Sequence, residues 1–325
     1  MKPELPDSVK LESRPCPNGC KAGDRFVVEG QDRLHHIPGR YQIVKCLGCG
    51  LMRTDPRPSP CTIGTYYPDD YGPYAADVRA PACTMPGWRK RMRAALGFEV
   101  RRLPPIQPGR LLEIGCASGA WLNMMRGQGW QVEGIEFSDA AARHARAQGL
   151  AVQTASVETA KAPSVPLDLI AAWMVLEHLH EPLAALRRLR DWTRPDGWLI
   201  AAVPDSNALS RRLSGEHAYD LHLPNHLYHY TPRTLAVLLH TAGWQLEHVF
   251  WQRNANNLLW SIEYLARDRN WRHRLAAVIW LRTARRAGRL RMLIGWLLGV
   301  TRQSGRIEIW ARPRPYVAGP NVAGR

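Results

Sequence analysis

Apolar positions change their spacing near Gly109. From there on, hydrophobic runs of strand length alternate with stretches of helical period, the pattern of a parallel sheet whose strands are joined by crossover helices. RLLEIG (110–115), QVEGIE (131–136), LDLIAAW (167–173) and GWLIAAV (197–203) are the strand candidates. A helix is predicted to start near Ser118, and another to run from an N-cap at Ser138 to Gln148, with Gly149 as its stop. Thr231 and Pro232 open a further helix with a capping side chain and a first-turn proline, and Gly243 ends it. WQLEHVFW (244–251) alternates like a strand, and RIEIWARP (306–313) returns to strand character and closes the sheet. The expected fold class is α/β, a mostly parallel sheet with helices on both faces.

The flanking segments read differently. Residues 1–75 are rich in Cys, Pro, Gly and Tyr, with few periodic apolar runs, as in a small module whose own core would be marginal. Residues 76–105 include the basic helical pattern WRKRMRAALGFEVRRL, ended by Pro104-Pro105, and form a predicted connecting helix. Residues 254–302 are helical, with apolar runs LAAVIWL (275–281) and LRMLIGWLLGV (290–300) broken by arginines. The expected division is a module at 1–75, a connector at 76–105, an α/β domain at 106–253 and 303–314, and a helical insertion at 254–302.

At 325 residues the chain is long enough for one full α/β core and smaller additions. The formal charge of +16 suggests nucleic acid until its location is checked. Thirteen arginines face only Asp268 and Glu308 between Arg267 and Arg314, so a surplus of eleven sits in that one stretch. Its apolar runs are too short to span a bilayer, though long enough to lie on an anionic membrane surface. Packing on the sheet or on a second subunit is the favoured expectation. The first residues carry no apolar signal segment, and no stretch reaches the roughly 18 apolar residues of a membrane helix, so a cytoplasmic protein is expected.

LLEIGCASGAWLNMM has the order strand, acid, glycine turn, helix. Gly115 and Gly119 let the backbone turn off the strand and approach a ligand, and the helix N-terminus offers unpaired N–H groups. Glu136 follows about twenty residues later at the end of the next strand, where an acid accepts hydrogen bonds from ribose hydroxyls. On these residues the sequence resembles the class I S-adenosylmethionine-dependent methyltransferases, which have a Rossmann-like fold. The family pattern of an acid followed by Gly-x-Gly-x-Gly reads here as Glu113, Gly115, Ala117 and Gly119, with alanine in place of the middle glycine. The resemblance implies that Glu136 holds the ribose and that Ser156 and Val157 lie against the adenine. It places Trp173 and Met174 at the methionine end of the cofactor.

Cys16-x-x-x-Cys20 and Cys46-x-x-Cys49 supply four thiolates at spacings suited to a tetrahedral structural zinc, with Gly50 for the tight turn. Four protein ligands would close such a site, so the metal is expected to be structural. The run CLGCGLMRTDPRP followed by YYPDDY resembles the zinc module ahead of the methyltransferase domain in sugar and natural-product methyltransferases. Cys61, Cys83 and Cys116 are expected to be bystanders.

Methyl transfer to a hydroxyl needs alignment and a base near neutral pH, which suggests histidine. Two runs offer one: Leu176-Glu177-His178-Leu179-His180-Glu181-Pro182 after a strand, and the loop Asp220–Tyr230. Both resemble family segments, the first a Leu-Glu-His-x-x-x-Pro pattern and the second a loop whose central histidine reaches the acceptor. His226 is the expected base, with His178 and Tyr71 or Tyr67 positioning the acceptor; His222, His229 and His180 are expected at the surface. Asn225 stands where the carbon-methylating relatives have an acid, which weakens proton abstraction from carbon. The expected activity is methyl transfer from S-adenosylmethionine to a small polar acceptor, oxygen favoured. An RNA or other nucleic-acid methyltransferase is the first rival, although the Asn/Asp-Pro-Pro-aromatic and nucleophilic-cysteine signatures are missing. The second rival is a non-catalytic cofactor-binding protein.

Overall fold

Residues alternate between the two faces of a strand, so the apolar runs above decide which layers a sheet carries. The computed structural model describes residues 5–67, 88, 92–93, 95–98 and 100–314. The predicted connecting helix, 76–105, therefore lies largely outside the described residues; Trp88, Met92, Arg93 and Ala95 within it are helical.

The N-terminal part contributes β1 (Leu11–Glu12), β2 (Asp24–Gly30), β3 (Tyr41–Cys46), β4 (Met52–Thr54) and β5 (Arg57–Pro58). The α/β part follows as β6 (Arg110–Ile114), α1 (Ala120–Arg126), β7 (Gln131–Glu136), α2 (Asp139–Ala147), β8 (Ala151–Thr154) and β9 (Leu167–Trp173). It continues through α3 (Pro182–Trp192), β10 (Thr193–Pro204), α4 (Leu209–Ser214), β11 (Tyr228–His229), α5 (Pro232–Thr241) and β12 (Trp244–Trp251). The helices α6 (Asn256–Asp268), α7 (Arg272–Thr283) and α8 (Gly288–Val300) then lead to β13 (Arg306–Pro313). The expected strands fall where the periodicity placed them, and β13 does return to the sheet after the helices. Local signals also set helix ends. The Ser138 hydroxyl accepts from the Ala141 N–H at the start of α2, and Thr231 and Thr234 form a reciprocal capping box on α5.

Seven strands make one sheet in the order β12-β13-β10-β9-β6-β7-β8. The pairs among β10, β9, β6, β7 and β8 are parallel, whereas β13 is antiparallel to both neighbours. The fold is thus a Rossmann-like α/β sheet, as expected. Leu111, Leu169 and Ile200 point to the face covered by α1 and α2, where they meet Trp121, Leu122 and Met125. Leu112, Ile170 and Leu199 point to the opposite face, under α3 and α5. Each fully buried leucine contributes about 1.5–3 kcal/mol.

The N-terminal strands form a second sheet in the order β11-β4-β3-β2, all antiparallel. Its edge strand β11 comes from the loop after β10, with Tyr228 opposite Arg53 and His229 opposite Met52. Tyr41, Ile43, Leu51 and Tyr66 pack into the same core as α3 and α5. The small sheet therefore borrows its hydrophobic support from the large one.

Candidate active site

In the large sheet, chain order runs outward from β6 through β7 to β8 on one side and through β9 to β10 on the other. Ligands in open α/β sheets bind at such a reversal, beyond the strands' carboxyl ends. A cavity of about 1070 Å³ opens there.

Its cofactor end is built by the turn after β6. Gly115 has φ +68, and a Cβ on it would lie 2.6 Å from Val175 Cγ2, so this position has room only for glycine. Ala117 takes the place of the middle glycine with φ +46, left-handed like the glycines around it, so the alanine keeps the turn at some strain. Gly119, at φ +80, caps α1, where a Cβ would run into Leu150 Cδ1 at 2.3 Å. Gly115 and Ala117 line the cavity, whereas Gly119 and the buried Glu113 are absent from its lining and support the turn from behind.

Glu136, at the end of β7, is buried and lines the cavity. Its Oε2 accepts from the Ala117 N–H and its Oε1 from the Ser138 N–H, both at 2.8 Å. Burial raises its pKa, against the pull of these amides. Each oxygen keeps a lone pair for a ligand hydroxyl. Ser156 and Val157 line the same end, with Trp173 and Met174 at the turn after β9. The Trp173 ring packs edge-on against Trp121, and the Arg101 guanidinium lies 5.8 Å over it. Met174 adopts φ +58, a conformation that a long side chain takes only when its surroundings impose it.

The other end of the cavity holds histidines. His178 Nδ1 lies 2.9 Å from the Asn225 carbonyl and 2.8 Å from the Tyr67 hydroxyl. His226 Nδ1 lies 2.9 Å from the Asp220 carbonyl. A carbonyl only accepts, so both rings donate from Nδ1 and keep the Nε2 lone pair. The His178 and His226 rings are 4.8 Å apart, as are those of His222 and His226. Burial, reinforced by neighbouring histidines, holds His226 well below its ordinary pKa, and burial takes His178 to about 4. These imidazoles are neutral bases throughout the physiological range.

The loop that carries His226 is fixed from the N-terminal sheet. The Thr54 hydroxyl donates to the His226 carbonyl at 2.8 Å and lies 3.1 Å from His229 Nε2. Asn225, which stands where carbon-methylating relatives have an acid, donates to the Tyr66 carbonyl at 2.7 Å. Its amide clamps the loop and does not face the chemistry. Tyr71 lies outside the described residues, and Tyr67 is the tyrosine seen beside His178.

The surface expectation for three histidines is corrected. His229 is buried and His222 lines the cavity, because the 204–230 segment folds inward, and His180 lines it too, its Nε2 lying 3.1 Å from the Pro58 carbonyl. The inner wall also includes Asp220, Asn257 and Arg306, which come from widely separated segments and carry no motif to flag them. The Asp220 carboxylate accepts from Ser210 and Asn257. Glu177, in the Leu176–Pro182 run, is a site residue that nothing local in the sequence marks. It is fully buried with both carboxyl oxygens lacking a hydrogen-bond partner, and burial pushes it up to about 8.

Two donor clusters suit a metal. Cys16, Cys20, Cys46 and Cys49 place their sulfurs within 4.8 Å of one another, with Cys16 and Cys49 at 3.5 Å. Four thiolates about 2.3 Å from zinc stand about 3.8 Å apart, so the set fits a tetrahedral ion. Gly50, at φ +79, makes the knuckle turn, and its N–H donates to the Cys46 carbonyl at 2.9 Å. Glu177, His178 and His226 form the second cluster, also within 4.8 Å.

A family profile described as a methyltransferase domain matches residues 88–249. Similar curated proteins include the ubiquinone biosynthesis O-methyltransferase of Albidiferax ferrireducens, 26% identical over 168 residues, covering 45% of this chain and 67% of that protein. The protein of the same description from Cereibacter sphaeroides is 32% identical over 115 residues, covering 33% of this chain and 45% of its own length. The chain thus spans from under half to about two thirds of these relatives, and the family profile begins after its first 87 residues. Among solved structures, an S-adenosylmethionine-dependent methyltransferase from Mesorhizobium loti superposes with a TM-score of 0.43 at 17% identity, over 67% of this chain and 96% of that one. That likeness is too loose to bear on function. With the profile match lying over the glycine turn, Glu136 and the strands that carry them, the chain belongs to the class I S-adenosylmethionine-dependent methyltransferases.

Proposed function

We propose that the chain methylates a hydroxyl oxygen of a small polar acceptor, with His226 taking the hydroxyl proton. The observation that carries this reading is the tautomer of His226: its Nδ1 donates to the Asp220 carbonyl, so its Nε2 lone pair is left for an acceptor in the cavity. S-adenosylmethionine supplies an electrophilic methyl group on a sulfonium sulfur. Glu136 would hold its ribose through the lone pairs that the amides leave free, Ser156 and Val157 would flank its adenine, and Trp173 and Met174 would bound its methionine end. His178 and Tyr67 would orient the acceptor, and the enclosing walls would exclude water that competes for the methyl. Alignment of this kind lowers such barriers by about 7–11 kcal/mol. Four thiolates of matching geometry support a structural zinc in the N-terminal sheet.

The test begins with methyl-labelled cofactor and fractionated cell extract, the labelled product being identified by mass spectrometry. On that acceptor, His226→Ala is expected to lower turnover by about 10²–10⁴ while calorimetric affinity for S-adenosylhomocysteine stays unchanged. Unaltered turnover removes His226 from the chemistry, and label that enters RNA with steeply salt-dependent binding overturns the small acceptor.

One observation favours a second reading of the same pocket. The unpartnered Glu177 carboxyl and one ring nitrogen each of His178 and His226 lie within 4.8 Å of one another, close enough to hold a divalent cation, which would acidify an acceptor hydroxyl bound to it. Activity lost with a chelator and restored by Mg²⁺ or Mn²⁺ but not by zinc selects this reading; activity that zinc alone restores, or that a chelator leaves unchanged, selects His226 as base.

A further inference from the structure

We propose that the face formed by α7 and α8 docks on an anionic lipid bilayer. Leu290, Leu293, Leu297 and Val300 are 46%, 54%, 47% and 50% exposed. Their spacing of three, four and three places them in one stripe along α8. Trp280 of α7 is 53% exposed, and α7 buries none of its residues. The apolar runs of the insertion therefore find only part of their cover among the described residues.

Charge decides what completes that cover. From Arg269 to Arg306 the chain has ten arginines and no acidic residue. Some are used internally: Arg282 pairs with Glu263 at 2.8 Å, and Arg291 donates to the carbonyls of Leu281, Arg282 and Ala284. Arg302 lies over the Trp251 ring, and Arg306 lines the cavity. Arg269, Arg272, Arg285, Arg286 and Arg289 are exposed and form no ion pair among the described residues. A second copy would bring the same unbalanced arginines against these, and like charges would oppose the contact. An anionic headgroup layer over acyl chains satisfies both features, the leucine stripe entering the apolar boundary and the arginines facing the phosphates. Helices of 12 and 13 residues measure about 18–20 Å, which suits lying in the interface, and no helix among the described residues is long and apolar enough to cross a membrane.

The full chain is to be sedimented with vesicles of phosphatidylcholine alone and of phosphatidylcholine mixed with phosphatidylglycerol. Binding is expected to rise with the phosphatidylglycerol fraction and to weaken as salt shortens the Debye length. Arg285→Glu/Arg286→Glu/Arg289→Glu should lower the partition coefficient at least tenfold, each lost arginine costing about fivefold. Leu293→Asp/Leu297→Asp should abolish binding, and both variants should keep wild-type affinity for S-adenosylhomocysteine, which shows that they are folded. Equal binding to neutral vesicles, or no binding at low salt, overturns the proposal. So does a dimer in sedimentation velocity that Leu293→Asp dissociates, or capture of an acidic protein by a face that ignores lipid.

Discussion

Glu136 joins two segments of the fold at the cavity wall. Its two oxygens tie the glycine turn, through Ala117, to the start of α2, through Ser138, and each still has a lone pair to offer. Hydrogen bonds to a charged acceptor are worth about 1.5–3 kcal/mol, so Glu136→Ala is expected to weaken S-adenosylhomocysteine binding by about 10- to 150-fold, measured by calorimetry. A modest drop in the melting temperature should accompany it, since two loop amides lose their acceptor. This residue was legible in the sequence because strand end, spacing and acid all coincide. Glu177 was not, although it lies beside His178: an acid in a charged-looking run reads as solvated, and only the folded loop shows its oxygens buried without a hydrogen-bond partner among the described residues.

The same distinction holds for elements. Strand and helix positions follow from local period and caps, and the four cysteines from their spacing, but β11 is a two-residue strand with no periodic signal of its own. It exists because β4 presents a free edge to the loop that carries His226. Thr54 and Asn225 add hydrogen bonds across that junction, so the cysteine cluster indirectly positions the candidate base. Removing the metal from this cluster, or replacing Cys46 by Ser, is therefore expected to lower turnover by at least about tenfold while cofactor affinity changes less than about threefold, because the cofactor turn belongs to the other sheet. Parallel calorimetry and turnover assays on chelated and zinc-restored protein check this. Equal losses in both would show that the N-terminal sheet supports the whole domain and not the acceptor end in particular.

Across the whole molecule, the buried titrating groups set opposing demands on pH. His178 titrates near 4 and His222 and His229 near 3 in the fold, against about 6.5 in an unfolded chain. Between those values the unfolded chain binds more protons, so stability rises with pH up to about 6.5. Glu177 does the reverse: the fold keeps its proton to about 8, whereas an unfolded glutamate releases it near 4.3. Stability contributed by that group is present below pH 4.3 and is lost as pH rises to 8. Below about pH 6.5 the histidines outweigh the carboxyls of Glu177 and of Asp220, which burial raises to about 6; above it Glu177 lowers stability as pH rises, until the Cys46 thiol, held down to about 7 by hydrogen bonds against its burial, begins to oppose it. The unfolding free energy from urea titrations is thus expected to peak near pH 6.5 and to fall by up to about 1.4 kcal/mol per pH unit just above it, a decline that Glu177→Gln should flatten.

By itself the sequence determined the parallel sheet, the glycine turn with an acid at the end of the next strand, and the paired cysteines, because each depends on residues close together along the chain. Period, capping and short spacings are local quantities, and the backbone has few ways to satisfy them. Only the tertiary structure decided that the N-terminal sheet completes itself with β11, that His222 and Glu177 turn inward, and that Asn257 and Arg306 meet Asp220 at the cavity wall. Those contacts join segments far apart in the chain, and no local pattern encodes which distant side chain will fill a given gap. The insertion combines both cases: its helices and its charge were plain in the sequence, but whether its leucines would be covered depended on how much of the sheet other elements had already taken.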